Sequence, residues 1–347
     1  MSADIGGAES EPELSGGAAT LLARYAESVL WLARYMERIE NLARLLDVTK
    51  TFASGAGDEA AWVAILRING DVEHFYKKHP LANGESVAHF YLLDRDNSTS
   101  VPASLHWARE NARTLRALIS TEMWQQMNVF YQQVLALKED DILPANLSRL
   151  CNFLKEGCQA HTGITEGTFY RDQSWCFYTV GRHLERADQT TRLLDIKFGR
   201  VVDTKQAADQ AVDAGEWNTL LRAAGGYHAF RRTHPYGFLP RDIAHFLLLD
   251  GAFPRSVGLN LAQADWVLSQ LRSRYGLRGI LPALERVDTL RGRLSSQNMV
   301  DLLRRGISPF LDWTQKEISL LHADLVTNIF SAEHAPVKPQ TQSQTQG

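Results

Sequence analysis

The stretch TLLARYAESVLWLARYMERIENLARLLDVTKTF, Thr20–Phe52, decides the fold class. Leu22, Tyr25, Val29, Leu32, Met36, Ile39, Ala43 and Leu46 recur at alternating steps of three and four. That spacing returns side chains to one face of an α-helix. Thr20 is placed to cap its start and Ser54-Gly55-Ala56-Gly57 to end it. The same periodicity predicts helices at 59–78, 84–93, 101–118, 121–139, 145–168, 172–198, 208–230, 240–250, 255–274, 280–293 and 297–330. Pro80, Pro102, Pro144, Pro235, Pro240, Pro254 and Pro282 punctuate them. Period-two runs bounded by hairpin turns are absent. The expected fold class is an all-α helical bundle.

Arg34–Val48 (RYMERIENLARLLDV) aligns without gaps on Arg182–Ile196 (RHLERADQTTRLLDI), with seven of fifteen positions identical. Later landmarks keep the same order. Trp62, Leu66, Arg67, Gly70 and Phe75 match Trp217, Leu221, Arg222, Gly225 and Phe230, and VAHFYLLD (87–94) matches IAHFLLLD (243–250). Three ordered matches predict a bundle built from two diverged copies of one helical unit, 19–165 and 166–332. Residues 1–18 and 333–347 are Gly/Ser-rich or Gln/Thr/Pro-rich and are expected to form disordered tails.

Composition narrows the function classes. A net charge of −3 offers no basic surface for nucleic acid. No apolar run approaches the ~20 residues that span a bilayer. The start MSADIGGAESEPELSGG lacks the basic and apolar regions of a signal peptide, so a cytoplasmic location is expected. Cys151, Cys158 and Cys176 are too few and odd in number for a disulfide framework. Cys158 and His161 have a ligand-like spacing, but no second pair completes a metal set, so no metal site and no cofactor are expected.

The charged residues are the informative ones. Arg34, Glu37, Asn41 and Arg44 follow one another at steps of three, four and three, flanked by Arg38 and Glu40. Arg182, Glu185, Gln189 and Arg192 repeat the pattern, flanked by Arg186 and Asp188. Leu30, Trp31, Leu42 and Leu45 share that side of the helix, so the stripe is expected to face another helix or a cleft. One reading is an inter-helix ion-pair network that fixes register. The other is a site where arginines hold a carboxylate or phosphate while Glu37 or Glu185 moves a proton or binds a metal.

A second cluster, ARENARTLR (108–116), sets Arg109, Arg113 and Arg116 on one helical face beside Glu110 and Asn111. Like charges at that spacing repel, so compensation is expected, either from Glu37 and Glu40 or from an anionic ligand or partner. The matching positions in the second unit are Asp265, Ser269 and Arg272, so only one arginine is kept. His89 and His245, between apolar neighbours, are expected to be core histidines, and the eight tryptophans to be packing anchors. Phosphate loops, HExxH motifs, nucleophile elbows and paired Glu-x-x-His motifs are absent from the sequence.

LARYMERIENLARLLD (32–47), ARENARTLR (108–116), GRHLERADQTTRLLD (181–195) and FPRSV (253–257) together resemble the bacterial alpha-E domain family. The resemblance runs over about 20–330; Asn97-Ser98-Thr99-Ser100 stands where family members carry an Asn-Pro-Ser-Ser type turn. It implies partnership with a circularly permuted ATP-grasp ligase that joins carboxylates to amines, with a transglutaminase-like peptidase as a further associate. The expected function is therefore an accessory protein of a peptide or amide ligase, holding an anionic substrate or partner through the Arg/Glu stripes. A free-standing enzyme acting on an amide or activated acyl compound, and a structural oligomerisation module, stay open as alternatives. So does homo-oligomerisation.

Overall fold

The computed structural model describes residues 21, 23–52, 58–202 and 214–331. The expected tails, the Thr20 cap and the Ser54–Gly57 terminator lie outside the described residues. Among the described residues every regular element is helical. The order is α1 (Ala23–Phe52), α2 (Asp58–Asn69), α3 (Val72–Tyr76), α4 (Gly84–Leu92), α5 (Val101–Thr114), α6 (Thr121–Leu135), α7 (Glu139–Ile142) and α8 (Leu147–Thr168). It continues with α9 (Gln173–Val202), α10 (Ala214–Ala223), α11 (Tyr227–Thr233), α12 (Pro240–Leu249), α13 (Val257–Ser273), α14 (Leu281–Ser295), α15 (Met299–Arg305) and α16 (Ser308–Leu325). None of these helices is long and apolar enough to cross a membrane.

Boundaries follow local chemistry. Ser100 and Ser256 cap α5 and α13 by accepting from the backbone N–H of Ala103 and Leu259, and the Asp172 carboxylate caps α9 at the N–H of Ser174. Two predicted helices are broken where the periodicity ran straight on. Gly70 (φ 77°) separates α2 from α3, and Gly225 (φ 69°) separates α10 from α11. At each break the next N–H reaches back five residues, Asp71 to the Leu66 carbonyl and Gly226 to that of Leu221. This closure needs left-handed backbone, which glycine adopts without Cβ strain. The predicted 297–330 run likewise splits into α15 and α16, with Pro309 in the first turn of α16.

Packing organises the helices into two four-helix groups joined at their longest members. In one, α1 packs on α5 and α8, and α6 closes the ring between them. In the other, α9 packs on α13 and α16, and α14 closes the ring. Among the described residues the most extensive helix–helix contact is α1 against α9. Both helices are therefore enclosed almost all round. On α1, Val29, Leu32, Met36, Ile39, Ala43 and Leu46 are buried, but so are Leu30, Arg34, Glu37, Glu40 and Leu42.

The α1–α9 crossing is close because Gly181 lies against the backbone of Leu30. A Cβ built at Gly181 would overlap the Leu30 carbonyl oxygen. Backbone cannot rotate aside as a side chain can, so Gly181→Ala must push the two central helices apart. The expected loss is about 1–3 kcal/mol, the usual cost of overpacking. Urea denaturation reads it directly, and a midpoint equal to wild type would show that the crossing has slack.

Two smaller expectations are corrected. His89 and His245 are not core histidines: His89 is partly exposed, with Nε2 3.3 Å from Glu139, and His245 is exposed. They fall on the outer faces of α4 and α12, whose inner faces bury Phe90 and Tyr91, and Phe246 and Leu247. Trp62 and Trp217 are packing anchors, whereas Trp107 and Trp266 are about half exposed, at 52% and 51%.

Candidate functional site

The charged stripes of α1 and α9 face each other across the central crossing. Glu37 accepts from Arg186 at 2.7 Å, while Glu185 accepts from Arg38 at 2.6 Å. The Glu-Arg step of each helix thus exchanges partners with that of the other. Arg34 adds a second guanidinium to Glu185 at 2.8 Å, and the Gln189 amide donates to it at 3.2 Å. Arg192 closes on Asp188 at 2.7 Å within α9, as Arg44 does on Glu40 within α1. Arg182 departs from this pattern and pairs with Glu166 of α8 at 2.8 Å.

One member of the network lies outside both stripes. Arg255, in the turn before α13, donates to Glu40 and to Asn41, each at 2.7 Å, and lies 3.7 Å from Glu37. Its turn is tied down from several sides. Ser256 Oγ donates to the Asp250 carbonyl, and Thr190 Oγ1 donates to the Arg255 carbonyl. Asn260 gives its amide N–H groups to the carbonyls of Pro254 and Ser256, which turns its oxygen toward His183 Nδ1 at 2.7 Å. His183 must therefore carry its proton on Nδ1 and donate it. The sequence signal was FPRSV, but a lone arginine outside any periodic stripe gives no hint that its partners lie over two hundred residues away.

Electrostatics make this a locked network. Burial pushes the Glu185 carboxyl up, yet Arg34 and Arg38 outweigh it and hold its pKa at about 2. Burial likewise opposes ionisation of Glu40, and Arg255, Arg44 and Arg186 override it to a pKa below the ordinary range. A carboxylate this acidic, with both oxygens held by guanidiniums, is poorly matched to general-base work near neutral pH. Asp188 differs: burial lifts its pKa, Arg192 only partly offsets this, and its Oδ1 is buried without a partner. Nucleophiles are quiet too. Burial drives the Cys158 thiol far up and raises Cys151 to about 12. Cys158 and His161 lie on α8, and among the described residues no group of three or more His, Cys, Asp or Glu is set to hold a metal.

Arg109 and Arg113 of α5, with Arg116 in the turn just after it, form a separate place. They do not reach Glu37 or Glu40, because Arg255 occupies that role. Glu110 compensates them instead, pairing with Arg109 at 3.0 Å and Arg113 at 2.6 Å. Arg109 also donates to Asn128 at 2.8 Å and lies over the rings of Trp124 and Tyr131 of α6, at 5.4 and 5.3 Å. Arg116 sits 4.8 Å over the Trp124 ring. The Arg113 side chain is 67% exposed, Arg116 is exposed, and Asn111 is half-buried on the same helix. Exposed Trp107 is close in sequence, with His106 against it. The result is an arginine–aromatic face ordered by stacking and open to solvent.

The candidate residues thus divide into a buried interlock on α1 and α9 and an exposed face on α5 and α6. Three Glu-Arg dipeptides occur, at 37–38, 185–186 and 285–286, and the first two form the reciprocal exchange. The third serves elsewhere, with Arg286 pairing to Asp324 and Glu317. No curated protein and no solved structure matches the chain. The family model of Alpha-E, described as a predicted alpha-helical domain with a conserved ER motif, matches residues 21–330. With nearly the whole helical region covered and its paired Glu-Arg steps at the centre of the fold, the chain belongs to the Alpha-E family.

Proposed function

We propose that this chain is an accessory protein that docks an anionic partner on the arginine–aromatic face of α5 and α6. The observation that carries the reading is the contrast between the two charged places. The carboxylates of the α1–α9 interlock are taken by its own arginines, whereas Arg113 and Arg116 present guanidiniums to solvent beside a stacked Arg109. Stacking of Arg109 on Trp124 and Tyr131, and of Arg116 on Trp124, restrains these two side chains before binding, which lowers the ordering cost of an interface. Arginine and aromatic residues are also the types that dominate interface energetics.

The partner class is an ATP-grasp-type ligase making peptide or amide bonds, with a transglutaminase-like peptidase as a second associate. That identity rests on what the family resemblance implies. We infer further that 19–165 and 166–332 are diverged copies, supported by the order of the two four-helix groups and the reciprocal Glu-Arg exchange. A cytoplasmic setting is in keeping with three free thiols, and a bacterial one rests on what the family resemblance implies.

Tagged chain purified gently from its host, with quantitative mass spectrometry, tests the docking. A stoichiometric ATP-grasp protein is the expected companion, lost progressively as salt is raised. Arg109→Ala with Arg113→Ala should weaken capture about tenfold or more, since interface arginines contribute roughly 1–2 kcal/mol each. The melting temperature should move little, because these pairs are at least partly exposed. Equal capture by the variant, or ligation at the same rate without this chain, would sink the reading.

A further inference from the structure

The geometry points to a carboxylate-binding niche beside the interlock, where Asn41, Gln189 and Arg255 converge at the mouth between α1, α9 and the α10–α11 turn, with Arg44 packed against that turn. It uses none of the α5–α6 residues and goes beyond partner docking. Three observations carry it.

Charge does not balance on this side of the crossing. Glu37 and Glu40 are surrounded by Arg44, Arg186 and Arg255, three guanidiniums to two carboxylates among the described residues. Arg255 is buried among these groups: burial lowers its pKa, Glu40 and Glu37 oppose that, and Arg186 and Arg44 add to it. One further negative charge would complete the set.

Donors are waiting in the same place. Asn41 Nδ2 and Arg44 Nε are buried without hydrogen-bond partners. The Asn41 oxygen already accepts from Arg255, so its amide nitrogen is turned away from that guanidinium. Unpaired buried donors are costly, and a ligand that accepts from them recovers that cost. Arg44 lies against the α10–α11 turn, its Nη1 3.4 Å from where a Cβ at Gly225 would stand, which is ordinary contact distance.

An opening leads to Asn41. Asn41, Gln189 and Arg255 line it together with Leu45, Leu193 and Ala224. The opening is small, with room for one or two waters. That suits the flat, two-oxygen end of a carboxylate better than a tetrahedral phosphate. A carboxylate also matches the guanidinium fork. The apolar side of the mouth would receive the carbon attached to it.

The test uses the full chain and acetate labelled with ¹³C at the carboxylate, followed by NMR line broadening at constant ionic strength. Wild type should broaden the signal saturably. Asn41→Asp keeps the oxygen that accepts from Arg255 but replaces the free donor with a negative charge. It should lose about tenfold or more in acetate affinity, the usual consequence of removing a hydrogen bond to a charged group. The same variant should melt no lower than wild type in acetate-free buffer, because the added charge supplies what the ligand would bring. Asn41→Leu, if folded, should lose binding similarly. Absence of saturable broadening in wild type, equal broadening by Asn41→Asp, or phosphate binding at these residues as tightly as acetate would overturn the assignment. Arg109→Ala with Arg113→Ala should leave the acetate response intact, so the niche and the docking face can fail separately.

Discussion

Glu185→Gln is expected to destabilise the protein by about 3–5 kcal/mol, the cost of breaking a buried ion pair from one side. The loss comes chiefly from what is left behind. Arg34 is buried, its side chain 10% exposed, and Glu185 is its ion-pair partner across the crossing. Arg38 is 36% exposed and recovers part of its solvation by turning outward. Glutamine fills the same volume, so the loss reports charge and not packing. Against the 5–15 kcal/mol that holds a typical domain together, this is a large fraction. Urea denaturation should show a lower midpoint at unchanged slope. Glu166→Gln is the control, because its pair with Arg182 is 37% exposed on the carboxylate side and should cost no more than about 1 kcal/mol. A Glu185→Gln variant as stable as this control would mean that the interlock does not hold α1 to α9.

Acidification is the second large effect, with onset well above the carboxylate range. Burial, with Arg182 beside it, holds His183 at about 3 despite its bond to Asn260, and burial alone holds His161 at about 4. Both are neutral in the folded protein, whereas in the unfolded chain they bind protons near the ordinary 6.5. The unfolded state then carries more protons between those values, and stability falls as pH drops. The loss starts below about pH 6.5 and continues toward pH 3. Glu185 and Glu40 act in the same direction lower down: their depressed pKa values contribute stability that is fully present above about 4.5 and lost as pH falls toward 2. Asp188 works the other way, since its raised pKa favours the folded state as acid is added.

The net expectation is a steady decline from pH 7 to 5 that steepens below 4.5, with His183 contributing a few kcal/mol. Denaturant midpoints measured across pH 4–8 check it. His183→Asn should flatten the upper part of the curve, and stability unchanged between pH 7 and 5 would remove the histidines from the account. His183 already donates from Nδ1 to Asn260, and the proton gained in acid goes to Nε2, so the bond that steadies the Arg255 turn persists and the penalty is that of burying the charge.

The amino-acid sequence by itself determined the helices and the grouping of charges along each of them. Steps of three and four in Val29, Leu32, Met36 and Ile39 are set within single turns, so they are legible without knowing the neighbours. So are the stripe Arg34–Glu37–Asn41–Arg44 and the row Arg109–Arg113–Arg116. Breaks at Gly70 and Gly225 were harder, because a glycine inside a periodic run does not declare its φ until the turn closes.

What each charge meets was decided by tertiary structure alone. Glu185 meets Arg34 and Arg38 because a glycine at 181 lets α9 lie against the backbone of α1. Arg255 displaces the α5 arginines as partner of Glu40 because the capped turn before α13 reaches the crossing. Periodicity reports which face of a helix a residue occupies. Which residue stands opposite depends on where two helices cross, and that is settled by packing between segments far apart in the chain.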